Sequence, residues 1–248
     1  MGKVALITGA SRGIGAATAR LLAQQGYRLC LNYLREAASA EALAEALRAQ
    51  GAEVITVQAD VADEADVVRL FETLDARLGP LDALVNNAGI LLPQRRVEDL
   101  DAARINRLLT TNVTSQFLCC REAVRRMSRR HGGRGGAIVN VSSVAARLGS
   151  PHEYVDYAAS KGAIDTLARG LALEVAGEGI RVNGVRPGFI HTQMHGDGGE
   201  PGRVARLAPQ LPLGRGGEPD EVAAAIRWLL SDEAAYVTGA FIDLAGGR

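Results

Sequence analysis

The stretch Val4-Ala5-Leu6-Ile7-Thr8-Gly9-Ala10-Ser11-Arg12-Gly13-Ile14-Gly15 decides the fold. Val4 to Thr8 is a short β-type run, and it enters three glycines spaced G-x-x-x-G-x-G before an Ala- and Leu-rich helix that extends to about Gln25. Glycines let the backbone turn tightly and approach a ligand closely, while a helix N-terminus presents unpaired N–H groups and a positive dipole end to an anion. The spacing differs from G-x-G-x-x-G, yet the first β–α turn is where doubly wound folds hold a pyrophosphate. Gly9, Ser11, Arg12, Gly13, Ile14 and Gly15 are therefore candidate dinucleotide contacts.

Outward from this turn, short apolar runs alternate with helical stretches along the 248 residues. The strand candidates are Val4–Thr8, Arg28–Asn32, Glu53–Gln58, Ala83–Asn86, Ala137–Val141, Arg181–Val185 and Ala240–Leu244. Most are continuously apolar, as in a parallel sheet covered on both faces. Helical stretches such as Ala37–Gln50 and Ala65–Leu78 lie between them, and Ile164, Leu167, Ala168, Leu171 and Val175 mark one face of another. The pattern predicts the α/β class: a single-domain, Rossmann-type doubly wound parallel sheet of about seven strands, spanning 1–248. One irregular stretch, His191 to Glu218, is too long for a routine connection and reads as a substrate lid over 191–217.

Composition narrows the function. Hydrophobic residues make up 47%, which gives a globular core, and 28 basic residues balance 28 acidic ones. No global field favours nucleic acid or a membrane surface. Neither a signal peptide nor a run long enough to span a bilayer is visible, and three cysteines make no disulfide framework, so a cytoplasmic protein is expected.

Further motifs recur at consistent spacing: Asn86-Asn87-Ala88-Gly89 after the fourth strand, Asp60-Val61 after the third, and Pro187-Gly188 followed by Ile190 and Thr192. With the glycine turn, the chain resembles the short-chain dehydrogenase/reductase family from residue 3 to 247. The resemblance implies a nicotinamide cofactor. It places Asp60 and Val61 at the adenine, Asn87, Ala88 and Gly89 facing the cofactor, and Pro187, Gly188, Ile190 and Thr192 at the nicotinamide carboxamide. It also implies a homotetramer, with the Ile164–Val175 face and the Phe241–Leu244 strand as candidate contacts or simply as core.

An acidic residue at the end of the second strand selects NAD by binding the ribose 2′-hydroxyl and repelling a 2′-phosphate. Here the strand ends Leu31-Asn32-Tyr33-Leu34-Arg35, with Tyr33 at the acidic position. Asn32, Tyr33 and Arg35 join the candidate contacts, Arg12 and Arg35 offer charge to a phosphate, and NADP(H) is favoured over NAD(H). Glu36 nearby acts in the opposite sense.

Tyr157 and Lys161 are four apart on one helix, so both side chains reach one small molecule. Reduction of a carbonyl needs a proton delivered to oxygen. A tyrosine with a pKa of about 10 is a poor base at neutral pH. An ammonium about 4 Å away supplies roughly 4 kcal/mol at an effective dielectric near 20, enough to lower it by about 3 units. The expectation is therefore a lysine-lowered tyrosine. The resemblance assigns Tyr157 as acid or base and Lys161 as its tuner and ribose contact. It further assigns Ser143, rather than its neighbour Ser142, as the substrate-orienting serine, and Asn112 as the support of a proton relay. Together they imply hydride transfer between NADP(H) and a carbonyl or secondary alcohol with no metal, most like 3-oxoacyl-[acyl-carrier-protein] reductases. Sugar or polyol dehydrogenases using NAD or NADP are the near alternative, and a non-catalytic dinucleotide-binding regulator is the alternative of another class.

Other signals are weaker. His191 and His195 have helical metal-ligand spacing but no evident third ligand. The six arginines from Arg121 to Arg134 lack interleaved aromatics and read as a solvated helix end. Cys119 and Cys120 sit beside apolar residues and read as buried. Arg95 and Arg96, or Arg203 and Arg206, are candidate basic patches for a carrier-bound acyl chain.

Overall fold

The computed structural model describes residues 2–248. Seven parallel strands form one sheet: β1 (Val4–Ile7), β2 (Arg28–Tyr33), β3 (Val54–Gln58), β4 (Ala83–Asn86), β5 (Gly136–Val141), β6 (Ile180–Pro187) and β7 (Phe241–Leu244). Their order is β3-β2-β1-β4-β5-β6-β7. The order reverses between β1 and β4, so the loops after these two strands flank the crevice where such sheets bind ligands.

The helices are α1 (Gly13–Gln24), α2 (Ala37–Ala49), α3 (Glu64–Leu78), α4 (Ala102–Leu109), α5 (Ser115–Met127), α6 (Ala145–Leu148), α7 (Val155–Val175), α8 (Met194–Asp197), α9 (Arg203–Leu207) and α10 (Pro219–Leu230). Strand ends differ from the sequence reading by a residue or two. Thr8 leaves β1 because its hydroxyl accepts from the amides of Asn87 and Ala88 in the loop after β4. β6 continues to Pro187, which pairs in register with Leu244 of β7.

Both sheet faces are covered. On one, Phe71, Leu70 and Leu74 of α3 pack with Cys119 and Ala123 of α5 and with Ile164, Leu167 and Ala168 of α7. On the other, Ala19 and Leu22 of α1, Leu43 and Leu47 of α2 and Ile226 and Leu229 of α10 pack on Ile7, Leu29 and Val85. The Ile164–Val175 face is thus core, while Leu173 on the same helix is a large apolar side chain left exposed. All three cysteines are free and buried.

The arginine-rich stretch begins on α5 itself rather than after it. Arg121, Arg125 and Arg126 all pair with the buried Glu122, and Arg126 also reaches Asp75. Charge there is compensated locally. No helix among the described residues is long and apolar enough to cross a membrane.

Candidate active site

The glycine turn is built by close backbone approach. Gly9 has φ +61°, and a Cβ there would meet the Ala88 Cα at 3.0 Å; a Cβ at Gly15 would meet the Gly9 carbonyl oxygen at 2.6 Å. Asn87 joins the two loops by donating to the carbonyls of Thr8 (3.0 Å) and Gly9 (2.9 Å). Asn32 is fully enclosed: it accepts from the Gly9 amide and donates to the Val57 and Ala59 carbonyls. It therefore shapes the turn from behind. Val61 is likewise core, while the Asp60 carboxylate accepts from the Ala62 amide.

The start of α1 has no acidic residue in its first turn and no side-chain cap. Its free N–H groups suit a phosphate. Tyr33 and Arg35 stand at the end of β2, and Arg35 makes no ion pair among the described residues. Arg12, at the helix start, pairs with Asp197 of α8. The residues present therefore fit a dinucleotide, with cations and no carboxylate at the second-strand position.

Across the crevice, β5 ends at Ser142 and Ser143, and α7 carries Tyr157 and Lys161. The two serines diverge. Ser142 donates to Asp165 Oδ1 (2.7 Å), away from the cleft. Ser143 accepts from the Ala145 amide, donates to the Pro187 carbonyl, and lies close enough to Tyr157 to favour its phenolate. The geometry brings Ser143, not Ser142, to Tyr157. Lys161 Nζ donates to the Val141 carbonyl at 2.8 Å and lies 5.5 Å from the Tyr157 ring centre.

Asn112 sits in a π-turn, Thr110–Thr114, between α4 and α5. Such turns interrupt the regular backbone ladder and occur often at functional sites. Its amide is clamped by both polar groups of Ile90 and by Ser160. A Cβ on Gly89 would lie 3.3 Å from Asn112 Oδ1 and 3.7 Å from Lys161 Nζ, so these three residues converge.

The electrostatics correct the expectation of a lowered tyrosine. Burial pushes the Tyr157 phenol up to about 12, opposed by the neighbouring Ser143 hydroxyl. The lysine does not offset this, because it is buried too: loss of hydration brings Lys161 down to about 8, against the pull of Asp165. Two groups desolvated together each resist ionising. The linkage to stability has two opposite signs. From pH about 8 to about 10.5 an unfolded Lys161 holds a proton the folded one has released, so stability rises with pH. From about 10 to about 12 the folded Tyr157 keeps a proton the unfolded one loses, so stability falls. Denaturant unfolding of wild type and Lys161→Met across the first window is expected to show wild type gaining on the variant; a constant difference would contradict the burial argument.

Above Tyr157 an open cleft runs from the candidate cofactor contacts Ile14, Asn87, Pro187 and Thr192 to an apolar end walled by Leu91, Val144, Leu148, Tyr154, Phe189, Met194 and His195. The irregular stretch forms its cover, although two short helices, α8 and α9, make it less irregular than its sequence indicates. Tyr154 donates to the Gly198 carbonyl at 3.0 Å. Arg203 of α9 is buried, pairs with Glu153 and Glu200, and stacks 5.0 Å over the Tyr154 ring. Arg203 and Arg206, read from sequence as a possible basic patch, are thus neutralised by carboxylates. No group of three or more potential metal ligands occurs among the described residues, and His195 instead bonds the Ile190 carbonyl.

A family model described as enoyl-(acyl carrier protein) reductase matches residues 9–248. An Escherichia coli relative named uncharacterized oxidoreductase YgfF is 62% identical over 245 residues, covering 99% of each chain. This chain is a short-chain dehydrogenase/reductase. The 3-oxoacyl-[acyl-carrier-protein] reductase of Staphylococcus aureus is 38% identical over all of this chain and 98% of that protein. A Burkholderia cenocepacia short chain dehydrogenase solved in complex with NADP superposes with a TM-score of 0.91 at 32% identity, covering 100% and 98%. The short-chain dehydrogenase/reductase is accordingly an NAD(P)-dependent oxidoreductase acting on a small molecule, which removes the reading as a non-catalytic regulator.

Sequence reading missed Leu91, Tyr154 and Phe189, which are far apart in the chain and carry no local motif, and it gave Arg203 a different role, as part of a basic patch. It also missed Asp165 and Arg186 behind the serines. Asp165 lies one turn beyond Lys161 on the same helix, and Arg186 is a lone charge near the end of a buried strand; these were the available signals.

Proposed function

We propose that the chain is an NADP(H)-dependent carbonyl reductase, with Tyr157 as the proton donor to the carbonyl oxygen. The observation that carries this is geometric: the half-buried Tyr157 lines the cleft with Ser143 beside it and Lys161 Nζ 5.5 Å from its ring centre, and loss of hydration pushes the phenol up to about 12. It is a donor at neutral pH, and its pKa stays below the roughly 15.7 of a water-like hydroxyl, so transfer to a developing alkoxide runs downhill. Ser143 orients the substrate oxygen, Lys161 supports the phenol and the nicotinamide ribose, and Asn112 holds the Gly89–Ile90 backbone against Lys161. The bound nicotinamide supplies or accepts the hydride. Residues 191–217 serve as the substrate lid. The relative named 3-oxoacyl-[acyl-carrier-protein] reductase supports reduction of a 3-oxoacyl-like carbonyl, and the compensated Arg203 and Arg206 favour a free small molecule over a carrier-bound chain. A homotetramer is the expected assembly, with exposed Phe117 and Leu173 as contacts in place of the Ile164–Val175 face.

NADP(H) preference rests on Arg12, Arg35 and the missing acid at Tyr33. A hydrogen bond to a charged group contributes about 1.5–3 kcal/mol. Titration with NADPH and NADH is therefore expected to show NADPH binding about 10- to 100-fold more tightly. Arg12→Ala should remove about tenfold of that while leaving NADH unchanged. Equal affinities in wild type would refute the phosphate assignment.

A further inference from the structure

The walls of the substrate cavity have a consequence beyond the reaction class. At its lid end, two polar groups are already committed. Arg203 is neutralised by Glu153 and Glu200, and the Tyr154 hydroxyl donates to Gly198. The remaining wall on the substrate side is Leu91, Val144, Leu148, Phe189, Met194 and the face of the Tyr154 ring. One buried polar atom of the lining has no partner: Nδ1 of His195. Its ring can be assigned, since Nε2 lies 3.0 Å from the Ile190 carbonyl, which only accepts. Nε2 therefore carries the proton, and Nδ1 of the neutral ring is an acceptor. Burial holds His195 below its usual range, which keeps the ring neutral.

We infer that the substrate carries an uncharged apolar group on the reacting carbonyl, with at most one further hydroxyl. This rests on the proposed carbonyl reduction and narrows it. A sugar or polyol would bring several hydroxyls against leucine, valine, methionine and phenylalanine. Each one left unpartnered costs about tenfold or more in binding. A carboxylate would find Arg203 already doubly paired, so that cation does not recruit anions. The geometry thus decides against the sugar and polyol alternative.

The test compares cyclohexanone, its 4-carboxylate and an aldohexose. Reduction is followed by loss of reduced-nicotinamide absorbance with NADPH. Affinity is measured separately by calorimetry on NADP-saturated Tyr157→Phe protein, which does not depend on turnover. Cyclohexanone is expected to exceed its carboxylate by at least tenfold and the hexose by at least 100-fold in both measurements. Glu153→Gln combined with Glu200→Gln frees Arg203 and is expected to shift the ratio toward the carboxylate by tenfold or more. Equal or better handling of the hexose or the carboxylate by the wild-type cavity overturns the inference, whether or not the double variant folds. The expected binding order without reduction of any ketone would leave the inference standing and refute the carbonyl-reductase reading instead.

Discussion

Tyr157→Phe is expected to bind NADPH as wild type does and to lose about 10²- to 10⁴-fold in turnover, the usual contribution of a positioned general acid. The substitution deletes one oxygen and keeps the ring. No hydrogen bond of the fold among the described residues depends on that oxygen, and the neighbouring Ser143 keeps its contacts with Ala145 and Pro187. Little folding stability therefore depends on it. The chemistry does: without the hydroxyl, the developing negative charge on the substrate oxygen meets only Ser143. Such an interaction exists mainly in the transition state, so kcat and kcat/KM should fall together. A large rise in KM with kcat preserved would assign Tyr157 to substrate binding alone and leave the proton without a source.

How much of this was readable beforehand divides along a physical line. The sheet was legible because most strands are apolar runs buried on both faces, and the glycine turn because its backbone crowds Ala88 and Asn87 too closely for a side chain. Tyr157, Lys161, Ser143 and Asn112 were legible as residue types at spacings that the fold converts into proximity. Their electrostatics were not. The expected lowering of Tyr157 assumed a charged lysine in a moderately polar setting, whereas both groups are buried and each raises the cost of ionising. The cavity walls were not legible either. Leu91, Tyr154, Phe189 and Arg203 are distant in sequence, and only the folded lid brings them together.

Arg186→Met shows the same limit from the side of stability, and a loss of about 3–5 kcal/mol is expected. Arg186 is buried near the end of β6, donates to Asp165 (2.8 Å) and Asp243 (3.1 Å), and stacks 4.0 Å over the Phe241 ring. Methionine preserves much of the stacking volume but leaves the largely buried Asp165, and the more exposed Asp243, without their shared cation. Removing one partner of a buried pair costs that much because the remaining charge has lost its solvation. The figure should lie toward the lower end, since Asp243 keeps Arg147 and Asp165 keeps Ser142. In a domain of this size, each kcal/mol moves Tm by about 2–4 °C, so a fall of at least about 6 °C is expected. Adding Asp165→Asn removes one orphaned charge and should restore part of the loss. The site should feel the single change as well: Asp165 already draws the Lys161 pKa upward, and without Arg186 its charge acts uncompensated. Lys161 would then stay protonated to higher pH, and the alkaline rise in stability assigned to it should begin later. An Arg186→Met protein as stable as wild type would mean that β6, β7 and α7 are held by apolar packing alone, and that this ion-pair network contributes nothing to holding Ser142 and Ser143 in place.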